Sequence, residues 1–488
     1  MAGIAGLLSD KKQAATIENM LTAIKHRGPD TTTTYIKKNI TAGVTGSKLS
    51  DERGTGYAKK GKIVVFFDGD IYNKRKPGKS DADLVLDLHK KHGQLFPGYL
   101  QGVFACAVWT GDELLIARDA VGVRPMFFGT TKEGKLCFAS EMKALTNISD
   151  NIRELPPSTI YSSKLGMRDW VVRYPEVWVP NTPEEAAKQL REYLIRATQR
   201  RLADGAVGGM CLSGGLDSSI IASIAHQIKP DLPAFTVGVE GASDIANAKI
   251  MAKYLGIKHH IKTFTLEEII QTVPQAVKTL ESFDEDCVSG TIANLMASGL
   301  AKEHGTNCIL SGEGGDELNG GYHLIKDLPT DEERLAMMKR LIAIAYNTAV
   351  QRLDRAMMGN SINYRTPFID TEVIAFCLQI PVQWKIYTHE TGKMTEKWLL
   401  REAFKDMLPK EIYERPKLRF SGGTGTDDLM DKVAVGKLAD NEFNEESRKT
   451  SGGYTLNTPK ELWYYKLFKE TFPKPAYEKL VGRWDPNK

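Results

Sequence analysis

The pattern of apolar and polar positions changes character partway along the chain. Up to about residue 175 the apolar residues fall in short β-rich runs, among them Lys62–Phe67, Val103–Trp109 and Glu113–Arg118. Runs of about 4–8 residues rich in Val, Ile, Phe and Trp read as strands. Helical spacing is confined there to about residues 13–25 and 81–92. Arg173–Pro183 then carries three prolines and reads as an extended connection. Thr182-Pro183-Glu184-Glu185 predicts a helix start, with Thr as N-cap, Pro at the first position and acids in the first turn. Beyond it, apolar strands at Ala206–Leu212, Pro233–Val239 and Asn307–Leu310 alternate with helical stretches, and past about residue 330 the pattern is mostly helical. Strand–helix alternation predicts a parallel sheet wrapped by helices. The expectation is an α/β protein of two domains, 1–178 and 184–488.

Composition alters this picture little. The 488 residues are 42% hydrophobic and 26% charged, as in ordinary soluble globular proteins. A net charge of +4, with Lys and Arg spread along the chain, makes no case for nucleic acid. No apolar run approaches the roughly 18 residues of a membrane span. The six cysteines stand singly, without zinc-type spacing, so reduced thiols and a cytoplasmic location are expected.

The most informative segment is Cys211-Leu-Ser-Gly-Gly-Leu-Asp-Ser-Ser219, between a strand and the helix that begins near Ile220. Such a turn presents free backbone N–H groups and a helix N-terminus to an anion. Ser213, Ser218 and Ser219 add hydroxyls, and Gly214 and Gly215 allow close approach. No Walker lysine is present, so the loop suits the pyrophosphate of ATP during attack at the α-phosphate. A second Gly-rich turn, Ser311-Gly-Glu-Gly-Gly-Asp-Glu317, is loaded with carboxylates. Asp217 and Asp316 are expected to hold Mg²⁺ jointly, which leaves Glu313 free to act on a proton.

These two loops, with Arg352–Arg355, Tyr364–Asp370, Lys397–Arg401 and Arg415–Phe420, resemble the glutamine-dependent (B-type) asparagine synthetase family from end to end. The resemblance implies an N-terminal-nucleophile (Ntn) hydrolase-like α+β sandwich. An ATP-pyrophosphatase domain follows, a doubly wound parallel sheet with a helical C-terminal part. It implies ATP and Mg²⁺, adenylation of a carboxylate and displacement of AMP by ammonia or an amine. It also implies a homodimer through the N-terminal domains. By position, Leu212, Val237 and Gly312 would contact adenosine, the loop residues would hold pyrophosphate, Glu313 would deprotonate the amine, and Lys417 would stabilise developing negative charge.

Two departures point away from plain asparagine synthesis. Ser289 stands where the family has an aspartate-binding Arg, and Asn363 replaces a Glu. The expected acceptor pocket, marked by Ser289 and Glu317, is therefore rewritten. The N-terminal half resembles a glutamine amidotransferase domain through Gly3–Gly6, His26–Asp30, Asp68–Asn73 and Ser140–Leu145, but the nucleophilic Cys is Ala2. The oxyanion-holding Asn is Asp68, before Gly69, and the glutamine-binding Arg is Lys48. With Asp81 these residues mark a degenerate glutaminase site, as in β-lactam and carbapenam synthetases. The leading expectation is an AMP-forming amide ligase without glutaminase activity. Two alternatives stay open: an asparagine synthetase with an engineered Ala2, and a non-catalytic nucleotide-binding pseudoenzyme.

Overall fold

The structure is a computed structural model that describes residues 2–47, 53–54, 56–178, 180–418, 420–438 and 442–484. In the N-terminal half two antiparallel six-stranded sheets lie face to face. One runs, in spatial order, Arg153–Glu154, Phe127–Thr130, Leu136–Ala139, Ala2–Leu8, Ile40–Gly46, Thr31–Ile36. The other runs Gly166–Asp169, Thr159–Ser162, Leu114–Arg118, Gly102–Trp109, Ile63–Ile71, Tyr57–Lys60. Side chains alternate along each strand. Val64 and Phe66 therefore enter the core between the sheets with Ile4, Ala105 and Phe138, while Val65 and Phe67 pack outward beneath the helix Asp81–His92 with Val85 and Leu86. Both faces of the strand Ile63–Ile71 are thus covered, which explains its continuous apolar run.

The Thr182 side chain accepts a hydrogen bond from the Glu185 N–H and caps the helix Pro183–Leu202, as its sequence predicts. A five-stranded sheet follows, in the order His259–Thr263, Ala234–Gly238, Gly209–Cys211, Cys308–Leu310, Asn363–Arg365, and every neighbouring pair is parallel. The strand pattern anticipates the three central strands and misses the outer two. His259–Thr263 is a half-exposed edge strand with no apolar run, and Asn363–Arg365 is buried, with Asn363 held by hydrogen bonds and Arg365 by ion pairs. Strand order reverses between Gly209–Cys211 and Cys308–Leu310. In an open α/β sheet a reversal of this kind opens the ligand crevice at the carboxyl ends of the strands. Among the described residues no helix is long and apolar enough to cross a membrane.

Candidate active site

The two Gly-rich loops leave the carboxyl ends of the strands flanking that crevice. Helix Leu216–Ile228 follows the first loop directly, so its N-terminal N–H groups face the cleft. Within the loop, Ser213 N–H donates to Ser218 Oγ at 3.2 Å, Gly215 N–H donates to Ser213 Oγ at 3.2 Å, and Ser218 Oγ donates to the Gly215 carbonyl at 3.1 Å. The hydroxyls thereby tie the loop into one ring. Gly214 has φ +66° and lies against the backbone of Asn247 and Ala248, 2.4–2.5 Å from where a Cβ would sit. No other residue satisfies both the conformation and the space.

The cleft is lined by Leu212, Ser213, Gly215, Asp217, Ser218, Val237, Gly312, Glu313, Asp316 and Lys417. These are all the predicted nucleotide-site residues except Gly214, which turns toward helix Ser243–Leu255, and Ser219. Ser219 is fully buried, its Oγ without a partner. The predicted acceptor residues are not at the surface of this cleft either. Ser289 is buried with its Oγ unpartnered, and Glu317 is buried and accepts from the Tyr322 hydroxyl at 2.7 Å.

Asp217 and Asp316 do converge, but a lysine stands between them. Lys397 Nζ lies 2.5 Å from Asp217 Oδ2 and 2.5 Å from Asp316 Oδ1, and Lys417 Nζ lies 2.6 Å from Asp316 Oδ2. Burial would raise the Asp316 carboxyl, yet the two ammonium groups bring it down to about 2. For Asp217 burial outweighs Lys397 and the carboxyl is raised. Asp217 Oδ1 is buried and unpartnered. A hard-oxygen donor set with one orphaned carboxylate oxygen suits a divalent cation carried on pyrophosphate. Among the described residues no cluster of three or more His, Cys, Asp or Glu forms a self-contained metal site.

Glu313 is not isolated: Arg352 Nη2 donates to its Oε1 at 2.9 Å. Burial, together with Glu313 and Asp316, pushes the Glu317 carboxyl up to about 7. Several lining residues escape sequence reasoning. Lys397 belongs to the noted Lys397–Arg401 motif, yet nothing local gives it a partner, and its φ of +54° is a tertiary feature. Arg415 Nη1 donates to the Ser213 carbonyl at 3.2 Å and Nη2 to Asp244 Oδ1 at 2.7 Å, clamping the first loop. Its place in Arg415-Pro416-Lys417, two residues from Lys417, was the one available signal.

At the N-terminal site the predicted residues that the structure describes are bonded to other protein groups. The Ala2 N–H donates to Asp68 Oδ1 at 3.0 Å, and Arg27 Nη2 donates to Asp68 Oδ2 at 2.8 Å. Arg27 also reaches Glu141 at 3.0 Å and Asp354 at 2.7 Å. The side chains of Arg27, Asp68 and Glu141 are fully buried, and that of Asp354 is 1% exposed. Gly69, beside Asp68, faces the Val103 carbonyl across the sheet. Asp81 is taken up by Arg53 at 3.0 Å and by Arg75, and burial raises its carboxyl. Lys48 lies outside the described residues. The ion pairs continue into the C-terminal half. Arg124 bonds Asp70 and Asp354 at 3.1 Å each, and Arg365 bonds Asp70 at 2.9 Å and Asp204 at 2.7 Å.

Comparison with known proteins matches a different family model to each half of the chain. The family model described as asparagine synthase matches residues 189–343 and 330–483, and the glutamine amidotransferase domain model matches residues 1–163. Asparagine synthetase (glutamine-hydrolyzing) 2 of Arabidopsis thaliana is 31% identical over 99% of this chain and 89% of its own length. The Zea mays asparagine synthetase (glutamine-hydrolyzing) is 31% identical over 95% and 84% respectively. Among solved structures, the glutamine phosphoribosylpyrophosphate amidotransferase from B. subtilis is 13% identical. It covers 64% of this chain and 81% of that one at a TM-score of 0.30, too low a likeness to bear on function.

Proposed function

Because the chain belongs to the asparagine synthase family and carries a glutamine amidotransferase domain at its N-terminus, we propose that it is an ATP-dependent amide ligase. In this reading it adenylates a carboxylate and transfers the acyl group to ammonia or an amine, with no glutaminase activity of its own. The observation that carries the reading is the meeting of Asp217, Asp316, Lys397 and Lys417 with Glu313 around one cleft beneath the Ser213–Ser218 loop.

The chemistry divides between these groups. Loop N–H groups, the Ser213 and Ser218 hydroxyls and the helix N-terminus receive the β- and γ-phosphates, while Leu212, Val237 and Gly312 face the adenosine. A carboxylate oxygen of the acceptor attacks the α-phosphorus, and the bond to the β-phosphate oxygen breaks to release pyrophosphate. Lys397 and Lys417 oppose the charge that develops there. The amine nitrogen then attacks the acyl carbon, AMP departs with the bonding pair, and Glu313 takes the proton from nitrogen. Mg²⁺ would be held by Asp217 and Asp316 and would neutralise pyrophosphate charge.

Three further observations support the finer parts of the reading. Ala2 offers a methyl group where a nucleophile is required. Both Asp68 oxygens accept hydrogen bonds, from the Ala2 N–H and from Arg27, where an oxyanion would need a donor. Ser289 in place of the aspartate-binding Arg that the resemblance implies supports an acceptor other than aspartate, since no guanidinium stands at that position to receive a second carboxylate. The domain division follows the same lines, with 1–178 as an inactive amidotransferase-type scaffold and 184–488 as the synthetase.

The test incubates the protein with Mg²⁺-ATP and a panel of carboxylic acids, aspartate included, with either ammonium or glutamine. AMP release dependent on an acid and on ammonium, without glutamate from glutamine, is the expected result. Glutamate release from glutamine would overturn the inactive-glutaminase assignment, and failure of every acid to release AMP would overturn the ligase assignment.

A further inference from the structure

The acidic turn and the helix Glu285–Glu303 form the wall of the cleft beyond the nucleotide loops, and one short segment joins them. The turn Gly320-Gly321-Tyr322 lies directly over the lysine-bridged carboxylates. A Cβ at Gly321 would fall 2.1 Å from Asp316 Oδ1 and 2.2 Å from Lys397 Cε, so the turn has no room to shift inward. Its last residue, Tyr322, holds Glu317 through the 2.7 Å hydrogen bond to Oε1. On its other side the Tyr322 ring packs against the Trp484 ring, with centroids 5.1 Å apart and planes inclined by 57°.

Trp484 is itself anchored to the opposite wall. Its backbone N–H donates to Asp284 Oδ2 at 2.9 Å, while Asp284 Oδ1 accepts the Cys287 N–H at 3.0 Å and caps the helix that carries Ser289 and Asn294. Arg483 pairs with Glu461 and lies over the Phe283 and Tyr454 rings at 5.7 and 5.5 Å. Gly482 packs on the Asn347 backbone so closely that a Cβ would meet its carbonyl oxygen at 1.9 Å. Three consecutive residues are therefore fixed by three different contacts, far along the chain from the loops they touch.

We propose that segment 482–484 is a positioning element of the acceptor side of the site. Trp484 sets Glu317 through Tyr322 and holds the acidic turn at a fixed distance from helix Glu285–Glu303. Trp484 touches no reacting group; it acts through Tyr322. The inference rests on the ligase reading for its kinetic consequence, but its structural consequence stands apart.

Two variants and two measurements test it. W484A removes the ring and is expected to raise KM for the acid or amine by about tenfold, the effect of losing one aromatic pair, with KM for ATP unchanged within about twofold. W484F keeps a ring and is expected to restore most of that loss. In the ligand-free protein, W484A is expected to increase hydrogen exchange across residues 315–326 relative to the strands of the N-terminal half. Equal increases in both KM values, or W484F behaving as W484A, would overturn the positioning role. Unchanged exchange over 315–326 would overturn it whether or not an acid substrate is found. A wild-type protein that releases no AMP with any acid sinks the ligase reading alone, and the exchange result still decides the role of Trp484.

Discussion

Arg27 offers the sharpest test of how the two halves are joined. Its guanidinium donates to Glu141 at 3.0 Å, to Asp354 at 2.7 and 3.2 Å and to Asp68 at 2.8 Å, and its Nε donates to the Ala2 carbonyl at 3.2 Å. In R27M a side chain of similar length fills the space without charge. Glu141 would keep Arg355 at 3.0 Å and Asp354 would keep Arg124 at 3.1 Å, but among the described residues Asp68 would keep only the Ala2 N–H. Removing one partner of a buried pair costs about 3–5 kcal/mol, mostly as the desolvation of the charge left behind. The retained partners of Glu141 and Asp354 place the expectation toward the lower part of that range. Urea unfolding at pH 7 of wild type, R27M, D68L and R27M/D68L reads the effect as a double-mutant cycle, with an expected coupling of about 1–3 kcal/mol. Removing both charges should destabilise less than the two single losses added together. A loss in R27M below about 1 kcal/mol, or strict additivity, would refute the view that this ion cluster is a closed, dry junction.

Three further predictions follow from the synthetase cleft. K397M removes the cation between Asp217 and Asp316 and is expected to lower acid-dependent AMP release by about 10²-fold, the usual cost of one transition-state donor; a loss under tenfold would remove Lys397 from the site. S219A deletes a buried hydroxyl that has no partner, so stability should hold or rise and KM for ATP should stay within about twofold, whereas S213A and S218A should raise it. Glu317, raised to about 7 from 4.5, holds a proton in the folded state that the unfolded chain has already released. Its contribution to stability therefore falls as pH rises from about 4.5 to 7 and is level outside that window. E317Q removes this contribution, so its melting temperature measured against wild type should climb across that interval, and a constant difference would contradict the burial of the carboxyl.

Much of this protein is legible along the chain. Alternating strands, the capped helix at Thr182, the reversal of grammar near residue 175 and the two Gly-rich loops are local statements. Each depends on side-chain periodicity, on glycine's access to positive φ, or on hydroxyl and N–H groups within a few residues of one another. The replacement of a nucleophile by Ala2 and of an amide by Asp68 is equally plain, because a methyl group and a carboxylate are what they are in any fold. Pairings at long range were not legible. Lys397 meets Asp217 across 180 residues and Arg27 meets Asp354 across 327. Such contacts exist only once both backbones are placed, since an ion pair is decided by distance and by the exclusion of water. The same holds for Ser219 turning inward while Ser218 faces the cleft, for polar Asn363–Arg365 serving as a buried strand, and for Trp484 reaching Tyr322. The sequence by itself determined the chemical vocabulary and the local elements, and only the tertiary structure decided which charges meet, which are sealed from water, and which wall of the cleft each one supports.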